Sequence, residues 1–154
     1  MLAVVAVEDL ELDQLGVKTA FLNGELEEEI FMRQPLGRCQ GGPEMVCNLK
    51  KALYGLKQAS RAWHLTLKRH LELQGFTASQ ADPSLYILQN EAGRSVYLLV
   101  YVDDLLIAAK RREDVATVKA RLLDAFDARD PGPAEFFLGL LIKRDRERKM
   151  LWLG

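Results

Sequence analysis

Between Ser95 and Ala109 the chain is apolar or aromatic at almost every position except Asp103 and Asp104. Two short apolar runs that meet at a polar pair predict two buried strands with Asp103-Asp104 as the tight turn. Upstream, Trp63, Leu67 and Leu71 recur every four residues, which predicts a helix from Ser60 to Gln74, stopped by Gly75. Arg61, His64 and Lys68 fall on a neighbouring face of it. Downstream, Val115, Val118, Leu122 and Phe126 predict a second helix from Glu113 to Phe126. Pro131-Gly132-Pro133 should break the chain. Phe136 to Ile142 and Met150 to Leu153 then predict a closing hairpin, with the charged stretch Arg144 to Lys149 at its turn. The clearest loop is Pro35 to Pro43, dense in turn formers. This order of strands and helices predicts an α+β fold.

With 154 residues, 49% of them apolar and 28% charged, the chain has the composition of one globular domain with a sizeable core. The net charge is -1, so no overall basic field draws nucleic acid. The charge is unevenly spread. Residues 1–31 carry eight acids and one base, whereas residues 50–69 carry six bases and no acid. Glu27-Glu28-Glu29 reads as a solvated acidic turn or helix start, and Lys50-Lys51 as a solvated pair. Cys39 and Cys47 cannot complete a zinc site by themselves and read as reduced thiols. There is no secretory signal pattern and no uninterrupted apolar span, so an intracellular, most simply cytoplasmic, protein without a membrane is expected.

Asp103 and Asp104 change this plain picture. Ionised carboxylates in an apolar setting repel one another and need a counter-charge. A hairpin tip with paired acids can be a solvated turn, since Asp is a common turn former. It can equally be a seat for a hard divalent cation.

Tyr101-Val102-Asp103-Asp104 matches the Tyr-x-Asp-Asp box of reverse transcriptases. Other blocks agree in order: Val17-Lys-Thr-Ala-Phe-Leu-Asn-Gly24 continuing to Pro35, Leu49-Lys-Lys-Ala-Leu-Tyr-Gly-Leu-Lys-Gln-Ala-Ser-Arg-Ala-Trp63, Gly75-Phe76, Asp82-Pro-Ser-Leu85 and Phe137-Leu-Gly139. Over almost its whole length the chain resembles the reverse transcriptase of copia-type retrotransposons. The resemblance implies a reverse-transcriptase palm, a small antiparallel sheet with helices packed on one face. It implies a single domain over residues 1–154, a palm with part of the fingers and without upstream fingers, thumb or RNase H. It implies two Mg²⁺ ions, with Asp103 coordinating both and Asp104 supporting. It also implies an RNA or DNA template-primer and deoxynucleotides as partners. Phe21 would pack under the nucleotide sugar. Tyr101, Gly55, Lys57, Gln58 and Arg61 would contact nucleotide or template. Ser60 stands where the family often has proline.

One position departs from the family. Its first block reads Gln-Leu-Asp-Val-Lys-Thr-Ala-Phe, and here Gly16 stands in place of that metal-binding aspartate. If the segment is a strand, as the resemblance implies, Asp13 and Glu11 lie at odd offsets from residue 16 and point to the opposite face. Asp13 is also ~10 Å away along the strand. Two functions are therefore expected to compete. One is an RNA-directed DNA polymerase domain impaired at residue 16. The other is a non-catalytic retroelement remnant that binds nucleic acid weakly at most.

Overall fold

The structure is a computed structural model that describes residues 1–42 and 44–154; of the predicted loop, Pro43 lies outside the described residues. In chain order the elements are α1 (Leu2–Val7), β1 (Glu11–Val17), β2 (Glu25–Arg33), β3 (Val46–Lys51), α2 (Ala59–Leu73), β4 (Thr77–Ala78), β5 (Leu85–Gln89), β6 (Ser95–Tyr101), β7 (Asp104–Ala109), α3 (Arg112–Ala125), β8 (Ala128–Pro133), β9 (Phe136–Phe137), β10 (Leu140–Asp145) and β11 (Met150–Leu153). They form two compact units, residues 1–18 with 70–154, and residues 19–69.

The first unit is built on a six-stranded antiparallel sheet of order β4-β5-β6-β7-β1-β8. The apolar run predicted as a hairpin supplies β6 and β7, and Leu105 to Ala109 are fully buried. Alternation along β1 sends Asp13, Leu15 and Val17 to one face, and Leu12, Gln14 and Gly16 to the other. The predicted second helix is α3, and its Val115, Val118 and Leu122 are buried. It lies over β1 and β7 on the Asp13 face, where Arg112 and Lys119 meet that carboxylate. On the other face Leu12, Leu106 and Ala108 pack with Val5 of α1 and with Phe137 and Ile142 of the β9-β10-β11 sheet. The expectation of helices on one face is thus corrected. α1 and the small sheet cover the face that α3 leaves open, because both faces of β7 are apolar and both need burial.

The second unit holds the β2-β3 ribbon, a 3₁₀ turn at Ala20–Asn23 and the first part of α2. Ala52, Ala59 and Ala62 form its core with Phe21, Leu26 and Leu56. The predicted helix from Ser60 to Gln74 is α2, shifted by one residue, and Trp63, Leu67 and Leu71 are buried as the stripe required. Gly75, at φ +89°, ends it.

Three local expectations are corrected. Glu27, Glu28 and Glu29 are solvated, but within strand β2 rather than a turn, since a ribbon exposed on both sides tolerates charge at successive positions. Pro131-Gly132-Pro133 ends a strand instead of merely breaking the chain. β8 lies at the sheet edge, where proline's missing N–H leaves no ladder bond unmade, and its pairing with β1 carries a bulge. The predicted strand from Phe136 to Ile142 is cut at Leu138 and Gly139, with φ +53° and +80°, so β9 and β10 form a hairpin of their own.

Candidate active site

Tyr101 pairs with Asp104 across the β6-β7 ladder, so the turn consists of Val102 and Asp103 and not of the two aspartates. Val102 has φ +53°. A β-branched residue in the left-handed region costs about 1–2 kcal/mol, and such strain gathers at functional sites. The tip is tied to the neighbouring strand, because Val17 N–H donates to the Asp103 carbonyl at 2.8 Å. Asp103 is exposed and Asp104 half-buried.

Gly16 pairs directly with Asp104, so residue 16 faces the hairpin as expected. A Cβ built on Gly16 would lie 3.9 Å from Asp104 Oδ1, and among the described residues beyond its chain neighbours no other atom comes within 4 Å. Gln14 Nε2 approaches the same Oδ1 at 3.4 Å. These residues line a cleft of about 460 Å³ together with Arg129, Glu135 and Phe136. Arg129 faces Gly16 from the other side, across the β1-β8 ladder. Asp104 and Glu135 are the carboxylates in the cleft's lining, and Asp103 adjoins Asp104 at the exposed tip. Among the described residues, no three His, Cys, Asp or Glu side chains cluster to hold a metal ion.

Asp13 does not join this group. It is 2% exposed on the opposite face of β1. Arg112 Nη1 donates to its Oδ1 at 2.7 Å, and Lys119 Nζ to its Oδ2 at 2.6 Å. Lys119 also pairs with Asp130 on β8. Sequence reasoning placed Asp13 on the far face but missed its partners. The signal was Lys119, a cation inside the apolar stripe of α3, four residues from Val115. Gln14, Arg129 and Glu135 were also missed, since only the strand order brings them to Gly16.

The remaining predicted residues divide between the units. Tyr101, 55% exposed, belongs with Gly16, Asp103 and Asp104 in the first. Phe21, Gly55, Lys57, Gln58 and Arg61 belong to the second. The chain leaves β1 after Val17 and places Phe21 in the 3₁₀ turn, with its ring 4.8 Å from that of Tyr54. Gly55 has φ +96° and open space around it, so the backbone conformation, not a close approach, requires glycine. Lys57 is exposed, whereas Gln58 and Arg61 line a cleft with Glu25, Glu27 and Glu28. Arg69 is paired with Glu27 at 2.9 Å. The basic stretch thus carries acids from β2 beside it.

A family profile described as reverse transcriptase (RNA-dependent DNA polymerase) matches residues 1–152. The chain is 44% identical over its full length to the retrovirus-related Pol polyprotein from transposon TNT 1-94 of Nicotiana tabacum, covering 12% of that protein. It is 41% identical, over 94% of its length, to the Pol polyprotein from transposon RE1 of Arabidopsis thaliana, covering 10% of it. It is 36% identical, over 83% of its length, to the putative transposon Ty5-1 protein of Saccharomyces cerevisiae, covering 42%. The chain therefore spans about a tenth of the length of the two Pol polyproteins and under half of the Ty5-1 protein. No solved structure matches it. A paired-acid hairpin beside the first strand, within a chain matched from end to end, makes it a member of the reverse transcriptase (RNA-dependent DNA polymerase) family of copia-type elements.

Proposed function

We propose that the six-stranded unit is the palm of an RNA-directed DNA polymerase, acting on a template-primer and deoxynucleotides, whose catalytic seat is impaired at residue 16. The observation that carries this reading is the pairing of Gly16 with Asp104 beside the Asp103 tip. Asp103 and Asp104 offer carboxylate oxygens at an accessible turn, the chemistry a hard divalent cation selects. They suit one ion completed by water or phosphate oxygens, and they lack the third, bridging carboxylate that a pair of ions would share. When bound, Mg²⁺ would help ionise a primer 3′-hydroxyl and offset charge on the leaving pyrophosphate. The chain's own part is to hold Asp103 by the Val17 hydrogen bond and to orient Asp104 beside Gln14. No helix among the described residues is long and apolar enough to cross a membrane.

The test is primer extension by the natural chain, by Gly16→Asp and by Gly16→Asp with Asp103→Asn, in Mg²⁺ and in Mn²⁺. Extension should be at the detection limit for the natural chain. Any gain from Gly16→Asp should vanish with Asp103→Asn. Robust extension by the natural chain would reject the impairment.

A second reading, a non-catalytic remnant that binds nucleic acid weakly, is favoured by the exposed Lys57 and Arg61. The acids around Arg61 limit it. Binding should fall steeply with salt through counterion release and should weaken on Arg61→Glu. Salt-independent binding would reject it.

A further inference from the structure

We propose that the space beside Gly16 is a binding site for a small monocarboxylate, formate or acetate. Seated between Asp104 and Arg129, it supplies the oxygen donor toward a divalent cation that residue 16 lacks. The inference rests on the metal-site reading above and deepens it.

Three observations carry it. First, the space is real. Gly16 is flanked in the ladder by Asp104 on β7 and Arg129 on β8, and directly opposed residues on neighbouring strands point to one face. A Cβ at residue 16 would meet only Asp104 Oδ1, at 3.9 Å. The cleft of about 460 Å³ is many times the ~30 Å³ that one water occupies, so an acid of three or four heavy atoms enters without displacing protein.

Second, one wall of the cleft is a guanidinium. Arg129 lines it, is exposed, and among the described residues has no hydrogen bond or ion pair in which its side chain is engaged. Its parallel N–H donors match a carboxylate's two oxygens.

Third, the charge around the space makes the binding conditional. Asp104 and Glu135 line the same cleft and Asp103 lies one residue away. These acids repel a free carboxylate, so Arg129 alone does not hold one. A divalent cation at Asp104 reverses the local sign. The two ligands then help one another. By linkage, the factor by which formate raises the cation's affinity equals the factor by which the cation raises that of formate.

The experiment measures Mn²⁺ binding to the purified chain by the electron paramagnetic resonance of the free ion. Sodium formate is compared with sodium chloride at equal ionic strength, and circular dichroism checks each variant's fold. Formate should raise the Mn²⁺ affinity of the natural chain on the order of tenfold, the factor that about 1.4 kcal/mol of binding free energy gives. Gly16→Asp should bind Mn²⁺ more tightly in chloride and show no formate effect, because a tethered carboxylate already holds the place. Gly16→Ala, whose methyl takes a small part of the cleft and offers no oxygen, should show no gain of Mn²⁺ affinity in chloride. Arg129→Gln should retain Mn²⁺ binding and lose most of the effect. Equal Mn²⁺ affinity of the natural chain in both salts, with tighter binding by Gly16→Asp, would overturn the carboxylate site and leave the metal reading standing. A folded Gly16→Asp that binds no tighter than the natural chain would overturn both. A formate effect of the same size in Gly16→Asp or Arg129→Gln would mark a general salt effect and overturn the site.

Discussion

Asp13 and Gly16 lie three residues apart on opposite faces of β1, one sealed beneath α3 and the other open to the cleft beside Asp104. The strand's period of two sets this separation. Asp13 therefore serves the interior. Its oxygens are taken by Arg112 and Lys119, and Lys119 reaches on to Asp130. This group joins β1, α3 and β8. Asp13→Ala should leave Lys119 buried with Asp130 as its remaining acid. Removing one partner of a buried pair costs about 3–5 kcal/mol, and the surviving contact puts this case near the lower end, about 3 kcal/mol. The thermal midpoint should drop by about 6–12 °C. A loss of under about 1 kcal/mol in urea unfolding would show that the network contributes little beyond packing.

Gly16→Asp should fold, because nothing crowds its Cβ, yet it adds a carboxylate directly opposite Asp104. Like charges across a ladder are destabilising, by up to about 1 kcal/mol. In chelator the variant should thus melt below the natural chain. Saturating Mn²⁺ should reverse the order, since an ion at a hundred times its dissociation constant adds about 2.7 kcal/mol to the state that binds it. Melting curves with and without Mn²⁺ check this crossing. A variant less stable in both conditions would mean that residue 16 does not share an ion with the hairpin.

Much of this arrangement was legible in the sequence. The apolar run gave away β6 and β7, and the four-residue stripe gave away α2, because burial imposes those periods directly. The failures share a cause. Val102, not Asp104, sits in the hairpin turn because the Tyr101–Asp104 pair closes the ladder, and residue preference would never place a β-branched side chain at φ +53°. Pro131 and Pro133 are tolerated in β8 only because it is an edge strand, a property of the whole sheet. The break at Leu138 likewise has no glycine at its own position to announce it. Arg129 and Glu135 could not be assigned to the cleft because their nearness to Gly16 depends on strand order across more than a hundred residues.

Two glycines of the second unit should respond differently to the same substitution. Gly24 has an ordinary φ of -67°, but a Cβ there would fall 2.7 Å from the Trp63 nitrogen and 2.9 Å from the Ala62 carbonyl carbon. Both are backbone atoms of α2, so Gly24→Ala must push the helix from the 3₁₀ turn, at about 1–3 kcal/mol. Gly55→Ala meets no atom within 4 Å and carries only the strain of φ +96°, about 1–2 kcal/mol. The distinguishing measurement is rescue. A second change that eases packing, Trp63→Phe, should leave the Gly24→Ala loss in place, because the clash is with backbone. Asn at residue 55, which tolerates a positive φ, should recover part of the Gly55 loss. Full tolerance of Gly24→Ala would mean that the turn and helix sit farther apart.

His70 sets a pH dependence of stability. Its ring is half-buried at the end of α2 and meets the Phe126 ring edge-on at 5.0 Å. Gln74 Nε2 lies 2.5 Å from its Nε2, and the amide's Oε1 is buried with no hydrogen-bond partner among the described residues. Burial pushes the imidazole below its ordinary value of 6.5, since the charged ring loses hydration that these neighbours do not replace. The sign follows from proton binding. Below pH 6.5 the unfolded chain binds a proton at this site that the folded chain refuses, so unfolding takes up protons and stability falls with pH. The contribution is fully present above pH 6.5 and is lost as pH drops through the folded value. His70→Phe should keep the ring contact with Phe126 and flatten this part of the curve, leaving the carboxylate-driven loss at lower pH. Urea midpoints of both chains from pH 8 down to 5 test it. A natural chain as steep as His70→Phe over that range, or an NMR titration of His70 centred above 6.5, would show that the ring is charged in the fold and that Gln74 turns its oxygen toward it.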